Sequence, residues 1–143
     1  MIARNILGFA AAIAALFAGI APAYAAESIE GRWVTEEGDA VVLIGPCGNA
    51  ICGTIAQFIV APPDGADQRD INNPDPQLRQ RRLLDTPILS NLREDGDSWK
   101  GEIYDPKRGR SFRSVVRRAG PGTLEVKGCA GPFCQTQTWR RAN

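Results

Sequence analysis

Six side chains in the middle of this sequence have the types and spacing for acid–base or polar binding chemistry. Asp70, Asn73, Arg79 and Arg82 fall in one irregular segment, and Tyr104 and Asp105 belong to a Tyr-Asp-Pro turn. Two carboxylates held about 5–9.5 Å apart would suit glycan hydrolysis. The chain has no histidine, so a general acid or base must come from Asp, Glu, Lys, Tyr or Cys. The same absence excludes Ser-His-Asp triads, Cys–His pairs and His-ligated metals. Each candidate also has a simpler structural role. Asp70-x-x-Asn73 suits local Asx capping of loop backbone. Asp105-Pro106-x-x-Gly109 suits a β-turn with Pro at a compatible position. Arg79 and Arg82 would share one face of a short helix and pair with these acids. The six are therefore taken as candidate binding residues, and no catalytic residue is assigned.

The four cysteines form two sets of equal spacing, Cys47-x4-Cys52 and Cys129-x4-Cys134. Each pair brackets a hairpin turn, Gly48-Asn49-Ala50-Ile51 in one case and Ala130-Gly131-Pro132-Phe133 in the other. Adjacent strands at such turns bring Cα atoms within reach of a disulfide. The expectation is two local disulfides, Cys47–Cys52 and Cys129–Cys134. A zinc site of four thiolates is the rival, but exported thiols oxidise first. A redox-active pair would usually have two intervening residues.

Export is read from residues 1–25. Arg4 precedes a charge-free run from Ile6 to Ile20, Pro22 breaks it, and Ala23-Tyr24-Ala25 is a small-x-small cleavage pattern. The run is shorter than the roughly 20 apolar residues of a membrane span. We therefore expect a cleaved signal peptide, no transmembrane segment afterwards, and a periplasmic or secreted location. Of 143 residues, 118 remain as a single domain, residues 26–143. Charge is uneven along it. Residues 26–77 hold nine acids and two bases, and residues 78–143 hold seven acids and fourteen bases. Such Arg-rich strand faces usually meet water. The sharper alternative is a basic half that binds anionic lipid or glycan.

Eight stretches have strand character, at 31–36, 40–44, 51–60, 88–93, 98–104, 110–118, 123–128 and 135–140. Gly-, Pro- and Asp-rich turns separate them. Several alternate with period two: Leu124 and Val126 against Glu125 and Lys127, and Phe112, Ser114 and Val116 against Arg113, Val115 and Arg117. Short links imply antiparallel neighbours, and eight strands close most economically into a barrel. Residues 51–60 read as apolar on both faces, with Ile51, Ile55 and Ile59 on one and Ala56, Phe58 and Val60 on the other. Residues 61–85 are too long for a hairpin loop. They would carry one short helix over 76–84, capped by Asp75, and cover the spare apolar face. Trp33, Phe58, Trp99, Phe112 and Trp139 are large enough to fill much of the interior.

Five stretches in order carry a family resemblance: Gly31-x-Trp33, Cys47-Gly-Asn-Ala-Ile-Cys-Gly53, Asp70-x-x-Asn73 with Leu78-Arg79 and Arg82-Leu83, Trp99-Lys-Gly-Glu-Ile-Tyr-Asp-Pro106 with Gly109, and Gln137-Thr-Trp-Arg140. Together they resemble the exported bacterial proteins known as DUF2147. The resemblance implies a compartment and a domain, with no established catalytic residues to carry over. The chain departs from the pattern at Asp85-Thr86, where Gly tends to precede the strand, and at Ser111-Phe112, where a polar residue and Tyr are usual. Gly31-x-Trp33 with Arg140 or Arg141 is also similar to the pattern of lipocalin-like barrels. There a Trp closes one end and a last-strand cation lies across its ring. Arg140 is taken as that latch.

The sequence thus predicts an all-β, antiparallel, about eight-stranded lipocalin-like barrel with one long covering loop. No metal, cofactor or nucleic-acid motif accompanies it. The leading function is a non-enzymatic binding or accessory protein of the cell envelope, for a small ligand or an envelope protein. An envelope enzyme using the loop and Tyr-Asp-Pro carboxylates is the alternative.

Overall fold

A computed structural model describes residues 14–16, 18–22 and 24–143. The expected signal peptide, residues 1–25, lies largely outside the described residues. From residue 31 the chain forms β1 (Gly31–Val34), β2 (Ala40–Cys47), β3 (Ala50–Phe58), β4 (Pro87–Asp95), β5 (Ser98–Asp105), β6 (Arg110–Gly120), β7 (Thr123–Ala130) and β8 (Phe133–Arg141). Each strand is antiparallel to the next and β8 returns to β1, so the sheet closes into a barrel. Closure removes the unpaired edges an open sheet would expose. The period-two pattern places Leu124 and Val126 inside on β7, and Ser114 and Val116 inside on β6. Among the described residues, no helix is long and apolar enough to cross a membrane.

β3 departs from the expected alternation. Val41 pairs with Gln57 and Val42 with Ile55, so Ala56 is an extra residue in a β-bulge. One extra residue reverses the facing of everything beyond it. Phe58 therefore packs against the same core as Ile55. The strand has no spare apolar face for the long connection to cover. Ile59 and Val60 fall past the strand end and are 49% and 63% exposed.

The expected helix over 76–84 is only its first turn. Asp75 caps it by accepting from the Gln77 N–H, with Pro76 in the first position, and the 3-10 turn ends at Leu78. Beyond it the backbone bonds elsewhere. The Asp70 N–H donates to the Arg81 carbonyl and the Leu83 N–H to the Gln68 carbonyl, and Arg69 bridges Arg82. The connection, residues 59–86, thus folds back on itself as a small hairpin.

The turns divide between two ends of the barrel. One end carries the β2–β3, β4–β5 and β6–β7 turns and both termini of the barrel. It is packed solid by Ile29, Trp33, Leu92, Val116 and Leu124, all with no exposed surface. The seam there is short: β1 meets β8 only at Trp33–Arg141 and Val34–Arg140. That register corrects the expected latch. Residues paired in register point to the same face, so Arg141 shares Trp33's face and Arg140 does not. The Arg141 guanidinium lies 4.7 Å from the Trp33 ring centroid, and Arg118 of β6 lies 5.0 Å from it. Gly31 has φ +128°, and a Cβ there would collide with the Arg141 guanidinium. Glycine is thus required for the arginine to cross to the indole, two residues further on. The indole N–H donates to the Ile29 carbonyl at 2.9 Å. Arg118 donates to the carbonyls of Ser28, Gly120 and Pro121, and Arg141 to that of Glu30. These bonds hold residues 28–30 across the closed end.

Candidate binding site

The other end is open. A cavity of about 1070 Å³ enters the barrel there, with Ile55, Phe58, Ile88, Ile103 and Phe112 on its walls and Trp139 as floor. The large aromatics therefore do not fill the interior. Phe58, Phe112 and Trp139 line it, Trp33 plugs the closed end, and the half-buried Trp99 donates its indole N–H to the Glu27 carbonyl at 3.0 Å. The cavity is at the upper end of the usual range for small-molecule sites, and its lining is mostly apolar as theirs is.

Three elements at the mouth are tied together. The Asp39 carbonyl accepts from the N–H groups of Ile59 and Val60, joining the β1–β2 turn to the long connection. Lys107 of the β5–β6 turn reaches the carboxylates of Glu37 and Asp39 at 2.8 and 3.4 Å. The Asn72 side-chain amide donates to the carbonyls of Pro106 and Lys107 at 3.2 Å each. Gly109 has φ +61°, and a Cβ on it would strike the Asn72 backbone carbonyl. Gly109 thus lets the Tyr-Asp-Pro-x-x-Gly turn lie flush against the connection.

Four of the six candidate residues take part in this fastening. Asp70 is 1% exposed. Its Oδ1 accepts from the Tyr104 hydroxyl at 2.6 Å. Its Oδ2 accepts from the Asn73 amide at 2.8 Å, from Arg81 Nε at 2.9 Å, and pairs with Arg81 Nη2 at 2.9 Å. The capping expected within Asp70-x-x-Asn73 is present, because the Asn73 N–H donates to the Asp70 carbonyl. The carboxylate itself, however, reaches from the connection to β5. Arg79 donates to the Asn73 carbonyl at 2.7 Å. Arg82 points elsewhere, to the Ala66 carbonyl and past Asp67. Arg81 takes the place expected for it, because the connection is a hairpin here and neighbouring side chains diverge. Asp105 accepts from the N–H groups of Lys107 and Arg108, as a turn aspartate does. Of the six, only Tyr104 and Asp105 line the cavity. Both carboxylates are thus occupied by donors, which counts against acid–base work by the pair.

Tyr104 has a spectroscopic consequence. Burial, together with the hydrogen bond to Asp70 and that residue's negative charge, pushes its phenol up from 10.0 to about 12. The folded state holds this proton more tightly than the unfolded chain does. The stabilisation is therefore complete below pH 10 and is lost as pH rises through about 12. The chain has two tyrosines, Tyr24 and Tyr104, so in a protein produced from Ala26 onward Tyr104 is the sole phenol. Its ultraviolet difference titration should show a midpoint near 12 while folded. A midpoint near 10.0, with the fold intact, would mean that Tyr104 is neither buried nor bonded to Asp70.

The disulfides occupy opposite ends. Cys47 is joined to Cys52 beside the closed end, with Cα atoms 5.8 Å apart. Cys129 is joined to Cys134 beside the open end, with Cα atoms 4.1 Å apart, and Cys134 lines the mouth. Much of the basic half is paired or bonded: Arg117 with Glu125, Lys100 with Asp95, and Arg113 to the Gly131 carbonyl. Sequence reasoning missed Asn72, Arg81 and Arg118. Asn72 and Arg81 each adjoin a residue that was singled out, but only the folded connection distinguishes neighbours. Arg118 reads as one more surface arginine in Arg117-Arg118.

The model of a family described as "Uncharacterized protein conserved in bacteria (DUF2147)" matches residues 31–141, which is the barrel from its first strand to its last. No curated protein matches the chain. Among solved structures it is similar to one described as "Protein HP1028 from the human pathogen Helicobacter pylori belongs to the lipocalin family". The two are 25% identical, the likeness covers 81% of this chain and 84% of that one, and the TM-score is 0.70.

Proposed function

The chain belongs to the DUF2147 family of bacterial proteins, and from that premise we propose that it is an exported, non-enzymatic binding protein that holds a small, largely apolar ligand inside the open end of its barrel. The observation that carries this reading is the cavity itself: about 1070 Å³, apolar on its walls, closed below by Trp139 and reached past a fastened connection. The barrel wall excludes water, so transfer of an apolar ligand into the cavity gains about 25 cal/mol per Å² of apolar surface removed from solvent. The connection and the mouth turns fix the shape of the entrance, so little ordering is needed on binding. The lipocalin-family likeness supports the same reading.

The probe N-phenyl-1-naphthylamine brightens in apolar surroundings and accepts energy from tryptophan. We expect it to bind once per barrel, with energy transfer that falls in a Trp139→Phe protein. Absence of saturable binding would contradict the reading.

Export is the second half of the proposal. The two disulfides support an oxidising compartment, and the first 25 residues have the form of a cleaved leader. The periplasm is the compartment we propose. Intact mass of the exported protein should correspond to a chain starting at Ala26, four hydrogens lighter than its thiol form. A product that retains residues 1–25, or one with free thiols, would contradict this.

A further inference from the structure

Below the mouth turns and the connection the cavity carries a polar stripe on β8, and its chemistry restricts what the ligand can be. This inference rests on the binding reading above and deepens it. On β8, Gln135 and Gln137 line the cavity above Trp139. They alternate with Thr136 and Thr138, so all three share the inner face. Gln137 is oriented: its Oε1 accepts from the Trp139 indole N–H at 2.9 Å. An amide fixed through its oxygen turns its NH₂ group away from that bond and leaves it free to donate, and the residue that carries it lines the cavity. Among the described residues, neither Nε2 of Gln137 nor the Gln135 side chain has another hydrogen-bond partner within the protein. Opposite them the walls are the aliphatic and aromatic side chains already named.

Charge is confined to the rim. Glu37, Asp39, Arg69, Asp105, Lys107 and Arg108 are the charged residues that line the cavity, and they lie in the mouth turns or the connection, or at the mouth end of β5. Lys107 is already paired with Glu37 and Asp39, Arg69 donates to the Gln80 carbonyl, and Arg108 faces Asp105 at 3.6 Å. An ionised group carried down to the glutamines would therefore leave water with no counter-charge, which is far more costly than moving a neutral polar group that finds a donor. On β6 one inward-facing polar side chain lies outside the cavity lining. Ser114, 2% exposed, lies in register between Gly101 of β5 and Gly128 of β7, and its hydroxyl has no partner among the described residues. Gly128 lines the cavity.

We infer that the ligand is an uncharged amphiphile whose carbonyl oxygen is received by the Gln137 amide, with Gln135 beside it, while its apolar body lies against the walls built by β3 to β6. The glutamine pair is then the specificity determinant: it accepts amides and esters and excludes carboxylates of the same chain length.

The test is displacement of N-phenyl-1-naphthylamine from the oxidised protein at pH 8 by decanamide and by decanoate. Decanamide should displace the probe at a concentration about tenfold lower or less, the effect of roughly 1.4 kcal/mol. In Gln137→Leu the decanamide advantage should disappear while the probe still binds. Gln137→Glu keeps the acceptor for Trp139 but loses the donor, and should weaken decanamide by a similar factor, so loss of folding in the leucine variant would not remove the test. Equal or tighter binding of decanoate, or decanamide binding unchanged in the folded Gln137 variants, would overturn this inference and leave the binding reading standing. Failure of the probe itself to bind would overturn both.

Discussion

Replacing Trp33 with alanine is expected to cost about 3–5 kcal/mol of folding stability. That is a large share of the roughly 5–15 kcal/mol that holds a domain of this size together. The indole is fully buried, so its removal leaves a cavity where the barrel is otherwise solid. It also removes the aromatic face under two guanidinium groups and the hydrogen bond to the Ile29 carbonyl. Residues 28–30 and the two-pair seam between β1 and β8 depend on these contacts. Unfolding should remain cooperative but shift to a markedly lower denaturant midpoint, and amide protection should fall first along β1 and β8. A midpoint that did not move would show that the seam is held by something other than Trp33.

The second large effect is expected at Asp70. All the side-chain groups that reach its carboxylate are donors: the Tyr104 hydroxyl, the Asn73 amide and two nitrogens of Arg81. Asp70→Asn places an NH₂ group against at least one of them and leaves Arg81 without its counter-charge. Arg81's side chain is 31% exposed while that of Asp70 is fully buried. Water therefore relieves the cation in part, and we expect a loss of about 2–3 kcal/mol, below the 3–5 typical of a fully buried pair. Tyr104→Phe removes one hydrogen bond and should cost about 1 kcal/mol. Two readouts separate this from a general loss of packing. Hydrogen exchange should accelerate through residues 66–84 while β6 and β7 stay protected. The Tyr104 phenol, freed of the adjacent negative charge, should titrate below its wild-type value. An Asp70→Asn protein with normal stability and an unmoved Tyr104 titration would mean that the connection is not fastened through this cluster.

The barrel was legible because period-two alternation and turn chemistry act locally. Leu124, Val126 and Val116 face inward for the same reason in the sequence and in the fold. What was not legible depends on register. The bulge at Ala56 turns Phe58 inward, and nothing in the residues from 51 to 60 marks where the extra residue falls. Arg141 meets Trp33 because β8 pairs with β1 at that pair of residues; the sequence alone leaves Arg140 and Arg141 equivalent. The same holds for Arg81 and Arg82, which diverge only because the connection folds as a hairpin. The family motif around Asp70 and Tyr104 was visible as a set. Its role as a fastening between connection and turn, rather than a reactive pair, follows from donors that come together only in three dimensions. The cavity was masked by composition, since the aromatics that could fill a barrel instead line its open half.

Binding inside the barrel is tested most directly by obstructing the cavity beside Gln135, the residue in register with Gly128, without disturbing the frame around it. Gly128 lines the cavity from β7, its backbone is in the ordinary region, and an added Cβ would meet only the Ile103 Cγ2 at 3.4 Å. In a Gly128→Leu protein we expect the barrel to remain folded, with both disulfides formed, and binding of N-phenyl-1-naphthylamine to weaken by about tenfold or more as the side chain occupies the ligand's space. A folded Gly128→Leu protein that binds the probe as tightly as the wild type would place the binding surface outside the barrel and contradict the account.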